Sequence, residues 1–125
     1  MTKKRILIID DEIGFTGMVK INLEATGHYE VRIENHSPIA VQRAREFRPE
    51  LILLDFIMPE MDGGDVAAKL KEDPLLQSIP IVMVTAIVSN REMGPDGTFM
   101  SGGQLMMAKP ISLPNLLHCL EAQLA

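Results

Sequence analysis

Four apolar runs in this chain each end on a polar residue that can do chemistry. The most constraining is Leu51-Ile52-Leu53-Leu54, bounded by Glu50 and closed by Asp55. Large aliphatic residues without polar alternation read as a strand buried on both faces, as in a parallel sheet. The run 6–9 ends on Asp10-Asp11-Glu12, the run 81–84 on Thr85, and the run 105–108 on Lys109. If these strands are parallel, all four ends lie along one edge of the sheet. In open α/β sheets that carboxyl edge is where ligands bind.

Between the runs the periodicity changes to that of helices. Phe15, Met18, Val19 and Leu23 recur at helical spacing before Gly27, which closes the first helix. Tyr29, Glu30, Val31, Arg32 and Ile33 alternate apolar and charged, which suits an edge strand. Ser37 as N-cap and Pro38 as first helical residue predict a second helix with Ala40, Ala44 and Phe47 inward. A loop through Pro59 and Gly63 leads to a third helix carrying Val66, Ala67 and Leu70, stopped near Asp73-Pro74. Pro80 fits only at the start of the strand that follows it. Ser112 caps a last helix striped by Leu113, Leu116, Leu117, Leu120 and Leu124. The segment 87–104 breaks the rhythm. Pro95-Asp96-Gly97 is a turn signature and Gly102-Gly103 a breaker, so the expectation is at most a short helix and a mobile loop.

Bulk properties bound the function. The 125 residues, 46% of them hydrophobic, are enough for one compact core. No apolar run approaches the ~20 residues that span a bilayer, and Lys3-Lys4-Arg5 with 6–9 is too short for a signal peptide. One cysteine, Cys119, cannot form an internal disulfide, which points to a reducing cytoplasm and an inert core or boundary thiol. A net charge of -5 argues against nucleic acid as a partner. His28, His36 and His118 share no metal-ligand spacing.

Asp10-Asp11, Asp55, Met58-Pro59 with Asp62-Gly63, Thr85-Ala86 and Lys109-Pro110 stand in order at the ends of successive strands. Each motif alone is commonplace, and an acidic pair after a strand is often just the start of a helix, where the dipole favours it. Together they resemble the receiver domain of two-component response regulators, over almost the whole chain. The resemblance implies an α/β, doubly wound, five-stranded parallel sheet of order 2-1-3-4-5, a flavodoxin-like receiver fold with five helices of which the fourth is irregular here. On that reading 1–125 is a single receiver domain in which no DNA-binding or enzymatic output segment fits, expected to be either a stand-alone protein or a fragment of a larger one.

The same resemblance implies roles. Asp55 is the phosphoacceptor, supplied by a sensor histidine kinase or a histidine phosphotransfer protein, and an unknown downstream protein reads the result. Mg2+ is held by Asp11 and Asp55, by Asp10 directly or through water, and by the backbone carbonyl of Ile57. Lys109 pairs with Asp55 and then with a phosphoryl oxygen, Thr85 donates its hydroxyl to another, Ala86 leaves room for the group, and Lys109-Pro110 is cis. The protein is then not an enzyme beyond self-phosphorylation from a donor and slow autodephosphorylation. Chemistry agrees: a carboxylate is a competent nucleophile towards phosphorus, clustered carboxylates call for a cation, and Mg2+ suits a site of carboxylates and phosphoryl oxygens.

The chain also departs from the pattern. Met106 stands where the family carries a switch Tyr or Phe that moves with Thr85, and Met93, Met100 and Met106 form either an adaptable contact surface or loop packing. Ile57 and Ile87, two positions beyond Asp55 and Thr85, cannot orient a water, so a phosphorylated form is expected to last. A flavodoxin-type FMN site is disfavoured because Asp10-Asp11-Glu12 repels phosphate. A haloacid-dehalogenase-type phosphatase would need an acid where Ile57 stands, and a dinucleotide enzyme a glycine fingerprint. The alternative is a receiver-fold binding module whose output is independent of phosphorylation.

Overall fold

The computed structural model describes residues 2–86, 94 and 97–125. Its elements are β1 (Lys4–Ile9), α1 (Ile13–Ala25), β2 (Tyr29–Glu34), a 3-10 turn (Ser37–Ile39), α2 (Ala40–Phe47), β3 (Leu51–Asp55), α3 (Gly63–Glu72), β4 (Ile81–Thr85), β5 (Thr98–Ser101), β6 (Gln104–Ala108) and α4 (Leu113–Leu124). They form one sheet of order β2-β1-β3-β4-β6-β5. The pairs β1·β2, β1·β3, β3·β4 and β4·β6 are parallel, and β5·β6 is antiparallel.

The parallel part is the flavodoxin-like receiver order expected from the sequence, with β6 as its fifth strand. Every residue of β3 is buried, as its unbroken apolar run requires. β2 is an edge, and its alternation leaves Glu30 and Arg32 exposed while Tyr29 and Val31 are covered. Leu7, Ile9, Ile52, Leu54, Met83 and Met106 turn to the face covered by α2 and α3. Ile6, Ile8, Leu51, Leu53, Val82, Val84 and Met107 turn to the face of α1 and α4.

β5 corrects the expectation for 87–104 in the part of that segment that is described. Residues 98–101 are a strand, not loop or helix, and pair Phe99 with Met106 and Ser101 with Gln104. Gly102 and Gly103 both have positive φ, 56° and 80°, which is the backbone of a two-residue hairpin turn. A glycine pair read as a breaker is therefore the turn that adds a sixth strand. The expected five-stranded sheet gains an antiparallel edge. The described residues contain four α-helices; residues 87–93 and 95–96, with the expectations made for Ile87 and Met93, lie outside the described residues.

Local signals at the other elements hold with two exceptions. Asp62 caps α3 by accepting the Asp65 N–H at 2.9 Å, and Ser112 caps α4 by accepting that of Asn115 at 3.2 Å. Ser37 does not cap α2. It opens the 3-10 turn, and its hydroxyl donates to the Pro59 carbonyl at 3.2 Å, which ties the start of α2 to the loop after Asp55. In α1 the inward positions are Thr16, Val19 and Leu23, whereas Met18 is 48% exposed. Thr16 is buried because its hydroxyl returns a hydrogen bond to Glu12 O and meets the Asn35 amide. No helix among the described residues is long and apolar enough to cross a membrane.

Candidate functional site

Strand register sets the site. Ile9 pairs with Leu54, Asp55 with Val84, and Thr85 with Ala108, so Asp10, Asp55, Thr85 and Lys109 leave the sheet side by side. Asp55 is held by its neighbours' backbone. Phe56 N–H bonds the Val84 carbonyl at 3.0 Å, and Gly63 N–H closes the loop onto Phe56 O at 2.8 Å. Across the edge, Asp10 N–H reaches the Glu34 carbonyl, and the Asn35 side-chain amide donates to Asp10 O at 2.7 Å. The Asp55 flank is thus fixed by main-chain bonds, and the Asp10 flank by one main-chain bond and the Asn35 side chain.

Asp10, Asp11 and Asp55 can each offer a carboxylate oxygen within 4.8 Å of the other two. Asp10 and Asp55 are buried, Asp11 is exposed. Burial, then the charge of Asp10 and that of Asp11, push the Asp55 carboxyl up to about 6, against the pull of Lys109 and the Ile57 N–H. The Lys109 ammonium lies 2.9 Å from Asp10 Oδ2, 2.8 Å from Glu12 Oε1 and 3.7 Å from Asp55 Oδ1. It also sits 4.5 Å from the centroid of the Phe15 ring. Burial opposes its charge, but the hydrogen bonds to Glu12 and Asp10 and the charges of Asp10 and Asp55 outweigh that, so its pKa is raised. The Lys109-Pro110 peptide is cis.

The residues singled out in the sequence are brought together unequally. Asp10, Asp11, Asp55 and Lys109 form one cluster, and Thr85, 2% exposed, ends the strand beside Asp55. Ile57 is 56% exposed at the lip. Met106 is not at the cluster. It is buried in the core between Met83 and Phe99 by register, which removes it from the expected methionine surface, whereas Met100 is 59% exposed. Glu12 and Phe15 were not legible as partners of Lys109. Glu12 is simply the residue after the acidic pair, and Phe15 fits a core pattern. The β6–α4 junction, distant in sequence, brings the lysine to both.

A doubly wound parallel sheet with three carboxylates, a threonine and a lysine at its carboxyl edge defines a receiver-type signalling module. The sequence matches the response regulator receiver domain over residues 6–121. It is 33% identical over 122 residues to the polar-differentiation response regulator DivK of Brucella anthropi, covering 97% of this chain and 96% of that protein. DivK of Brucella ovis is 32% identical over 125 residues, covering 99% and 98%. Among solved structures, the Vibrio cholerae chemotaxis protein CheY4 aligns with a TM-score of 0.80 at 25% identity, covering 97% of this chain and 98% of the other. The signal receiver domain of a signal transduction histidine kinase from Syntrophus aciditrophicus gives 0.77 at 30%, covering 97% and 89%. The chain belongs to the response regulator receiver family of two-component systems.

Proposed function

We propose that this chain is a Mg2+-dependent phosphoacceptor, in which Asp55 takes a phosphoryl group from a histidine kinase or histidine phosphotransfer protein and the product acts through contacts with a downstream protein. The observation that carries the reading is Asp55 itself. It is a buried carboxylate, raised to about pKa 6, at the middle of the carboxyl edge and 3.7 Å from a lysine. In the reaction a carboxylate oxygen of Asp55 attacks phosphorus, the bond from phosphorus to the donor's nitrogen or oxygen breaks, and the donor leaves with that electron pair. Lys109 offsets the charge on the transferred oxygens, and the Thr85 hydroxyl donates to one of them.

The donor set fits Mg2+. Three hard oxygen ligands within 4.8 Å repel one another, and the pKa of Asp55 is raised first by burial and then by the charges of Asp10 and Asp11. Asp11 and Asp55 would hold the ion, Asp10 directly or through water, and the Ile57 carbonyl would add a fourth protein oxygen. When bound, the ion supplies charge neutralisation to the transferring group. A cytoplasmic location goes with this reading, and the single buried thiol of Cys119 suits it.

The test is mass measurement after acetyl phosphate with Mg2+. Wild type gains one phosphoryl group and Asp55→Asn gains none; equal labelling of the mutant sinks the assignment. A second reading, a binding module indifferent to phosphorylation, is favoured by one observation, the burial of Met106 under Phe99 where an aromatic switch would stand. Labelled and unlabelled protein with identical spectra would support it.

A further inference from the structure

One contact at the site has no part in the phosphoacceptor reading. A lysine ammonium carries three N–H donors, and here the two shortest contacts of Lys109 run to the β1–α1 junction rather than to Asp55: 2.8 Å to Glu12 and 2.9 Å to Asp10, against 3.7 Å to Asp55. Phe15, one turn into the same helix, puts its ring 4.5 Å from the amine. Asp10 belongs to the proposed metal set and is already bonded by the Glu12 N–H at 2.9 Å. The Glu12 side chain belongs to no such set. It is 61% exposed, yet it makes the shortest contact with a lysine whose side chain is only 12% exposed. An exposed acid thus holds a nearly buried base at hydrogen-bond distance, while the ion pair of that base with Asp55 stays longer, at 3.7 Å.

We propose that Glu12 is a positioning residue that parks Lys109 away from Asp55 in the resting protein, so that Lys109 reaches a phosphoryl group on Asp55 only by giving up the Glu12 pair. The inference rests on Asp55 being the phosphoacceptor. Glu12 then sets part of the balance between the resting and phosphorylated arrangements without touching the transferred group. The Phe15 ring favours the same resting position, since it offers the ammonium a face on the α1 side. An ion pair with one exposed partner shifts an equilibrium by roughly two- to fivefold.

The experiment is an equilibrium titration with beryllofluoride, a phosphoryl mimic, in Mg2+ at fixed pH and ionic strength, read by the 19F resonance of the bound species. Glu12→Gln keeps the side chain's length and loses its charge, and should bind the mimic roughly two- to fivefold more tightly than wild type. Glu60→Gln, which neutralises an exposed acid of the loop after Asp55, should leave affinity unchanged. In a Lys109→Met background, which keeps the stem over Phe15, the gain from Glu12→Gln should vanish. No gain, an equal gain in Glu60→Gln, or a gain that survives without Lys109 overturns the inference while leaving the phosphoacceptor reading intact. If wild type does not bind the mimic, or Asp55→Asn binds it equally well, that reading falls and this inference with it.

Discussion

Gly63 packs against the peptide group of Asp55 so closely that a Cβ at position 63 would collide with the Asp55 carbonyl oxygen and come within 2.8 Å of the Phe56 Cα. The obstruction is backbone, so it cannot swing aside. The same glycine donates its N–H to Phe56 O, which fixes where α3 starts relative to the end of β3.

Gly63→Ala is therefore expected to cost about 1 to 3 kcal/mol, the usual range for overpacking, and to displace Asp55. Gly64→Ala is its control. A Cβ there meets only the Asp62 side chain at 3.3 Å and the edge of the Phe56 ring at 4.0 Å, and alanine is the better helix former. Urea denaturation of both variants checks the contrast; equal stabilities would show that β3 and α3 separate easily.

How far this was readable in the chain depends on the kind of signal. Strand ends carrying Asp10, Asp55, Thr85 and Lys109 were legible because buried parallel strands leave unbroken apolar runs, and the polar residue that ends each run marks the edge. β5 was hidden because its strand is four residues long and its turn is Gly-Gly, which also spells loop. Ser37 looked like a cap, since serine before proline commonly is one, but a 3-10 turn over Ser37–Ile39 stands between it and the start of α2. Glu12 became a partner of Lys109 only through a contact 97 residues apart in sequence, and Phe15 through a second long-range contact, which no local pattern encodes.

Asp55 should make the metal-free protein pH-dependent. Its carboxyl moves from 3.8 to about 6 on folding, mainly by burial and then by Asp10. Between those values the native state holds a proton the unfolded state has released, so stability falls as pH rises through the window and the cost is complete above about pH 6. In EDTA at pH 7.5, Asp55→Asn should be more stable than wild type by on the order of 2 kcal/mol, and the difference should shrink towards pH 4. For wild type, Mg2+ at ten times its dissociation constant should restore roughly 1.4 kcal/mol. Thermal melts across pH with and without Mg2+ test both, and a flat difference would mean that the cluster is not strained.

The β2 edge is guarded from α1. Lys20 Nζ donates to the Val31 carbonyl at 2.7 Å, Glu24 accepts the Val31 N–H at 3.0 Å, and the two side chains pair at 3.0 Å. The Val31 bond, then Lys20, hold the Glu24 carboxyl below its usual value. That stability is present above pH 4.5 and lost as pH falls through the lowered pKa. Glu24→Ala should cost about 1 kcal/mol, less than additively with Lys20→Met because both act on one residue. It should also expose the edge to pairing, detectable as concentration-dependent association in sedimentation.

The lifetime of a phosphorylated Asp55 should be governed by what lies at the lip of the site. Hydrolysis of an acyl phosphate needs a water in line with phosphorus, and Ile57, 56% exposed two residues beyond Asp55, is branched and apolar and its side chain offers that water no hydrogen bond. Its N–H instead supports the Asp55 carboxylate. A group able to orient water contributes on the order of a hundredfold in rate, so wild type should decay slowly and Ile57→Asn should hydrolyse faster, by up to about that factor. The measurement is loss of label in Mg2+ after the donor is removed. Because Ile57 is exposed, the substitution should leave the melting temperature nearly unchanged, which separates an effect on water from an effect on the fold. Rapid decay in wild type, or no acceleration in the variant, would show that water reaches phosphorus by a route Ile57 does not control.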